Sequence, residues 1–229
     1  MGVTVNVSGV DKVFSPAGGH DIGVLDRLSV EFVAGSITGI IGPSGSGKST
    51  LLHIIGTLET PTAGTVTYDG MPAPTSEKDL AAFRRDHIGF VFQQHHLIPH
   101  LTVLENVLVP ELAGKGKRLA GDALSRANLL LGRVGLSERT QHKPAELSGG
   151  ECQRVAVVRA LLQNPDIVLA DEPTGALDAS TAANLLDLLL ELQREDGFTL
   201  IVVTHTPEIA ARLGRIVRLE AGKLVEVNG

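Results

Sequence analysis

Tryptophan is absent from this chain of 229 residues, tyrosine occurs once, and aromatic residues make up only 3% of it. So little aromatic surface leaves scant material for stacking nucleic-acid bases or for an interfacial membrane belt. Cysteine occurs once, at Cys152, which excludes an intramolecular disulfide and fits a reducing cytoplasm. No apolar run approaches the ~18 residues that a bilayer-spanning helix needs, so no direct membrane span is expected. The first residues lack the basic and apolar regions of a signal peptide. Cations are also in short supply. Against 26 Asp and Glu stand 20 Lys and Arg, and a net charge of −6 argues against a nucleic-acid partner bound through the whole surface. The expectation is a soluble cytoplasmic protein, large enough for one core with a subdomain.

Glycine, by contrast, is plentiful, with 26 residues, and the most informative cluster is GPSGSGKST at residues 42–50. Gly42 and Gly47 bracket a tight turn through Pro43, Ser44, Gly45 and Ser46. The backbone N–H groups of such a turn can converge on one point, and glycine permits this because it has no Cβ to clash. Lys48 then sets a cation at the β/γ-phosphates of a nucleotide, and the Ser49 hydroxyl can bind Mg²⁺. Ser49 and Thr50 open a helical stretch through residue 55, whose N-terminus adds N–H donors and a favourable dipole. Residues 37–41, ITGII, supply the buried strand that such a loop requires.

A second element lies downstream. Residues 166–172, DIVLADE, read as an apolar strand ending in two carboxylates. Such a run suits a parallel sheet covered on both faces, with ligands at the carboxyl ends of its strands. Side chains alternate along a strand, so Asp171 and Glu172 can do different work. Asp171 would hold Mg²⁺ through water, and Glu172 would orient or deprotonate an attacking water.

The pattern along the chain is α/β. β-rich segments come first, at residues 3–7, 28–33, 37–41 and 65–68, with a loop at 15–21. Residues 78–85 read as helix and 88–92 as strand. From Gln93 to Gly150 the pattern is mostly helical, interrupted by the solvated run GKGKR at 114–118. Helix is expected again at 153–162 and after Ala182, ending at Gly197, followed by a strand at 198–203. Alternation of helix and strand in this half indicates a parallel, doubly wound sheet. The division expected is one domain over 1–229, with core and β subdomain in 1–92 and 151–229 and a helical subdomain in 93–150.

At this point the residues resemble a known family. LSGGECQRVAVVRAL at 147–161, LADEPTGALD at 169–178, GFVFQ at 89–93 and HHLIPHLTVLENV at 95–107 look like the words of an ABC transporter's nucleotide-binding subunit. The likeness runs essentially from Val3 to Val227 and is closest to the macrolide-exporter and lipoprotein-release ATPases. It implies a RecA-like P-loop NTPase core with an N-terminal antiparallel β subdomain and an inserted α-helical subdomain. The implied cofactors are ATP and Mg²⁺. The implied partners are a second copy, forming a homodimer, and integral membrane permease subunits, which would hold the chain peripherally at the cytoplasmic side of the cell membrane.

The resemblance also assigns roles. Gln93 would meet Mg²⁺ and the attacking water, and His205 would contact the γ-phosphate and position Glu172. Ser148, Gly149 and Gly150 would bind the γ-phosphate held by the other copy. Asp178 matches the loop that crosses the dimer interface. Phe14 falls where many relatives place a tyrosine that stacks on adenine. Cys152 stands where relatives carry a polar residue, and Thr206 where aspartate is commoner. His95, His96 and His100 follow Gln93 where a permease's coupling helix docks in relatives; no nearby cysteine or paired carboxylate completes a metal site there.

The function implied is ATP hydrolysis powering export or membrane extraction of a drug, peptide, lipoprotein or haem through a separate permease. The alternative is a stand-alone ABC ATPase of the iron–sulfur assembly type, against which the words around Gln93 argue. A P-loop kinase or GTPase would have no use for LSGGE. The sequence ends at Gly229, where no regulatory domain is expected.

Overall fold

The computed structural model describes residues 2–16, 18–112 and 121–227. The expected solvated run at 114–118, and Ala17 within the expected loop at 15–21, lie outside the described residues. Two sheets organise the chain. The first is antiparallel, in the order β2 (Ile22–Phe32), β1 (Val5–Phe14), β4 (Ala63–Tyr68), β5 (Met71–Pro72). The second has six strands, in the order β10 (Lys223–Val227), β9 (Arg215–Glu220), β3 (Ile37–Ile41), β8 (Thr199–Val203), β7 (Ile167–Asp171), β6 (Ile88–Phe92). Its strands run parallel except for β10, which closes one edge antiparallel to β9.

The apolar run of β7 is buried on both faces. Val168 and Ala170 join one core cluster and Ile167 and Leu169 the other, as the two-residue period of a strand requires. Leu200 and Val202 of β8 divide from Ile201 and Val203 in the same way. Burial of Ile167, Val168 and Leu169 contributes roughly 1.5–3 kcal/mol each. One cluster packs this sheet against α3 (Val103–Leu112), α4 (Gly121–Arg133), α5 (Gly149–Leu161) and α6 (Ala179–Asp196). The other packs it against α1 (Lys48–Ile55) and the antiparallel sheet.

The strand at 88–92 and the helix ending at Gly197 stand where the sequence predicts; Gly197 caps α6 in the left-handed conformation at φ 70. The helix expected at 78–85 is α2 (Glu77–His87), capped by Ser76. Three first-sheet strands, β1, β2 and β4, are longer than predicted. β1 continues past Gly9, which sits at φ 57 among register shifts, so the glycine makes a bulge instead of a turn. α5 begins four residues before the expected Gln153 because Ser148 and Glu151 cap each other: Ser148 Oγ accepts from Glu151 N–H at 3.2 Å, and Glu151 Oε2 accepts from Ser148 N–H at 2.8 Å.

In-register pairing sets the active end of the sheet. Phe92 of β6, Asp171 of β7 and Val203 of β8 are aligned, and Val203 aligns with Ile40 of β3. The residues that follow these strand ends, Gln93, Glu172, the 204–205 pair and the loop after Ile41, therefore emerge side by side.

Candidate nucleotide site

The loop between β3 and α1 is shaped by its glycines. Gly42 sits at φ 151, and a Cβ there would lie 2.2 Å from the Leu219 carbonyl oxygen, so no side chain fits. Gly47, at φ 99, precedes α1, and a Cβ there would meet the Leu25 side chain at 2.9 Å and the Val24 carbonyl oxygen at 3.0 Å. Lys48 is only 7% exposed, and its Nζ donates to the carbonyls of Gly42 at 2.9 Å and Pro43 at 2.8 Å. The ammonium is thus held across the mouth of the loop by groups that a phosphate oxygen can replace. The Ser46 hydroxyl is buried without a hydrogen-bond partner among the described residues. A buried orphan of this kind costs about 1–3 kcal/mol, so it favours a ligand that satisfies it.

A cavity of about 610 Å³ opens over this loop. Ser44, Gly45, Gly47, Lys48, Ser49 and Thr50 line it together with Gln93, Glu172 and His205, and Val24 joins them from β2. Val24 is the lining residue that the sequence reading passes over. It lies in a plain apolar strand stretch, and only the packing of β2 against Gly47 brings it here.

Glu172 follows β7 at φ 47, an uncommon left-handed conformation for a residue with a side chain. Its N–H donates to the Val203 carbonyl at 2.9 Å and its carbonyl accepts from Gly175 N–H at 3.0 Å, which hold the turn. Such strain costs roughly 1–3 kcal/mol and clusters at sites where a side chain must be aimed. The aim here is specific. His205 Nδ1 lies 2.7 Å from Glu172 Oε2, with the carboxylate side chain 22% exposed and the imidazole 61% exposed. Thr206 N–H donates to Thr204 Oγ1 at 3.1 Å, so the threonine after His205 shapes its turn through the backbone. Gln93 is exposed, and its side chain lies against Gly175, whose added Cβ would be 2.9 Å from Gln93 Nε2.

Asp171 ends β7 and is half-buried, and among the described residues no side-chain hydrogen bond or ion pair engages it. It does not line the cavity, whereas Ser49 and Gln93 do; all three side chains carry hard oxygen donors of the kind Mg²⁺ prefers. Among the described residues, no group of three or more His, Cys, Asp or Glu side chains is placed to hold a metal ion. His95, His96 and His100 therefore do not converge on one.

The remaining sequence-predicted residues do not line this cavity. Ser148, Gly149 and Gly150 form the N-terminus of α5, and hydrogen bonds from the Ser148 backbone and hydroxyl hold the Glu151 carboxyl below its usual range. Gly150 packs against α6, where a Cβ would come 2.5 Å from Thr181 Cγ2, whereas Gly149 has no atom nearer than 3.7 Å. Asp178 caps α6: one carboxylate oxygen accepts from the N–H groups of Ser180 at 3.1 Å and Thr181 at 3.0 Å. The Ser180 hydroxyl donates to the same oxygen and the Thr181 hydroxyl to the other, and these bonds hold the Asp178 carboxyl far below the ordinary value. Phe14 is 38% exposed at the end of β1, with the Lys12 ammonium 4.7 Å from its ring centroid. Cys152 is buried on α5; burial first, and then the Glu151 charge, push its thiol up.

A second concavity, of about 370 Å³, lies beside Phe92, between Phe90, Leu58 and Pro110 and the cationic side chains of Arg84, Arg85 and Arg159. His95, His96 and His100 do not line it.

The family model described as ABC transporter matches residues 25–175. The chain is 48% identical over 212 residues, 92% of each chain, to the lipoprotein-releasing system ATP-binding protein LolD of Paramagnetospirillum magneticum. Its fold is similar to the dimeric structure of MJ0796, a bacterial ABC transporter cassette, with TM-score 0.87 and 42% identity, covering 98% of this chain and 99% of that one. A post-hydrolysis dimer of the same cassette, bound to ADP and Pi, superposes with the same TM-score of 0.87, 42% identity and coverage of 98% and 99%.

Proposed function

The chain belongs to the ABC transporter family of ATP-binding, ATP-hydrolysing subunits, and on that premise we propose that two copies close over two molecules of Mg-ATP. Each ATP lies between residues 42–50 of one chain and Ser148, Gly149 and Gly150 of the other. One observation carries this reading. The Glu172–His205 pair and Gln93 line one cavity with the phosphate loop, while the α5 N-terminus, an anion-binding end, lies outside it. A second copy would bring that end to the nucleotide.

In this arrangement Lys48 exchanges its Gly42 and Pro43 carbonyls for β/γ-phosphate oxygens, and Ser46 and the loop N–H groups complete the cradle. Glu172 accepts the proton of the attacking water as its oxygen bonds to the γ-phosphorus and the bond to the ADP oxygen breaks. With Nδ1 protonated, His205 donates to Glu172 Oε2 and keeps the carboxylate aimed. The reaction is phosphoryl transfer by positioning and charge neutralisation. Ser49, Asp171 and Gln93 would hold Mg²⁺, which neutralises charge on the phosphates. Phe14 is exposed enough to stack on adenine, and Asp178 turns the segment after Glu172 toward the other copy.

The helical elements of 93–150, together with α5, which runs unbroken across the boundary at 150, form a unit that shifts against the rest of the core of 1–92 and 151–229. The groove beside Phe92 and the adjoining His95–His100 stretch take the permease, which holds the chain at the cytoplasmic face of the membrane; no helix among the described residues is long and apolar enough to cross it. The name of the relative favours release of a lipid-anchored protein over a drug, peptide or haem as cargo. Purification of tagged Glu172→Gln protein from detergent-solubilised membranes with ATP tests this. A stoichiometric permease with a large extracytoplasmic domain is expected. Recovery of soluble partners alone would contradict it.

A further inference from the structure

Three consecutive structural features surround Gln93, and none of them belongs to the nucleotide cavity. The Gln153 side chain, 2% exposed on α5, donates from Nε2 to the Phe92 carbonyl at 2.7 Å, one residue before Gln93. Arg159, also on α5, donates from Nη2 to the His95 carbonyl at 2.7 Å and from Nη1 to the His96 carbonyl at 2.8 Å. At the second of these holds His96 adopts φ 47, a conformation costly for a residue with a side chain. The 92–96 segment is therefore bracketed from both sides by one helix.

Arg159 is an unusual anchor. Its side chain is half-buried beside Phe92 and burial draws its basicity down, yet among the described residues it pairs with backbone carbonyls and no carboxylate. These two charge-assisted hydrogen bonds tie the backbone at His95 and His96 to α5. α5 is continuous from Gly149 to Leu161, and its capped first turn carries the glycines that would meet the partner copy's nucleotide.

We propose that Gln153 and Arg159 are positioning residues that transmit the position of the α5 N-terminus to Gln93. A shift of that end would thereby move the 92–96 segment that carries Gln93. The inference rests on the dimeric reading above and names its internal linkage. Neither Gln153 nor Arg159 lines the cavity, so their effect on hydrolysis must pass through the segment they hold.

Steady-state hydrolysis by the purified full chain, without permease, tests it, because Arg159 also lines the groove beside Phe92. Gln153→Met and Arg159→Met are each made in the unaltered chain and in a Gln93→Ala background. In the unaltered chain each lowers kcat about tenfold, with the KM for ATP and the melting temperature little changed. Arg159→Lys, which keeps one donor site, recovers part of the loss. In the Gln93→Ala background neither substitution lowers kcat further, because the group they position is gone. The same fold loss in both backgrounds, or no loss in either, overturns the linkage while leaving the ATPase intact. If Arg159→Met does not fold, the Gln153→Met pair decides the question alone. An unaltered chain that fails to hydrolyse ATP overturns both readings.

Discussion

His205 Nδ1 stands 2.7 Å from Glu172 Oε2, although the two residues follow different strands. The Glu172 N–H bond to the Val203 carbonyl at 2.9 Å joins the ends of β7 and β8, and the Thr204 N–H bond to the Ile40 carbonyl at 3.1 Å joins β8 to β3. The ends of β7, β8 and β3 are tied together, so the carboxylate, the imidazole and the phosphate loop are positioned by one sheet edge. His205→Ala is expected to lower kcat by about 10²-fold while ATP affinity changes by less than about twofold. Nucleotide titration and single-turnover hydrolysis of the same preparation separate the two. An equal loss in affinity would assign His205 to binding alone.

Gly149 and Gly150 are neighbours with opposite reasons to be glycine. Gly150→Ala would press its Cβ into Thr181 Cγ2 at 2.5 Å and is expected to destabilise the isolated chain by about 1–3 kcal/mol. Adding Thr181→Ser removes that methyl, keeps the hydroxyl bonded to Asp178, and should restore most of the stability. Gly149→Ala has room, with nothing closer than 3.7 Å, so its denaturation midpoint should be unchanged or raised. Its hydrolysis should nonetheless fall by at least about tenfold, because a second copy's phosphate must approach that backbone. Urea melts and ATPase assays on the four proteins check the contrast.

Asp178 carries a pH signature. Its folded-state carboxyl titrates below the ordinary 3.8, through the Thr181 and Ser180 hydroxyls first and then the Thr181 N–H. Stability from such a depressed carboxyl is fully present above the unfolded value and is lost as pH falls through the folded one. The melting-temperature gap between the unaltered chain and Asp178→Ala should therefore be constant near neutral pH and close below about pH 4. A gap that stays open in acid would show that the carboxylate charge is not what caps α6.

Cys152 should resist thiol reagents in the native chain. It is 4% exposed, its Sγ faces the Pro144 carbonyl at 3.6 Å, and burial with the Glu151 charge raises its thiol. Modification with a chromogenic disulfide should be slow in buffer and complete in denaturant, since the thiolate is the reactive form. Rapid native labelling would mean that the first turns of α5 open readily.

Much of this was legible from residue order. The phosphate loop, β6, β7, the start of α1 and the end of α6 could be read because glycines, apolar runs and strand-end carboxylates mark them locally. Other features depend on contacts distant in sequence. Gly9 reads as a turn and forms a bulge, because pairing of β1 with both β2 and β4 carries the strand across it. The pair β9–β10 is signalled by Ala221-Gly222, at φ 46 and 77, a turn whose hand suits a hairpin; the sequence reading did not use it. The same holds for Ser148 and Glu151, whose spacing is that of a reciprocal cap. Val24 in the cavity wall, the left-handed Glu172 and the grip of Arg159 on His95 and His96 have no local signature.

If the α5 N-terminus of one chain completes the cavity of another, sedimentation velocity of Glu172→Gln will report it. Without nucleotide, or with Mg-ADP, the protein should sediment as a monomer; with Mg-ATP it should shift to a dimer, and Ser148→Arg should abolish that shift. A monomer under every nucleotide condition, or a dimer indifferent to Ser148→Arg, would contradict the account.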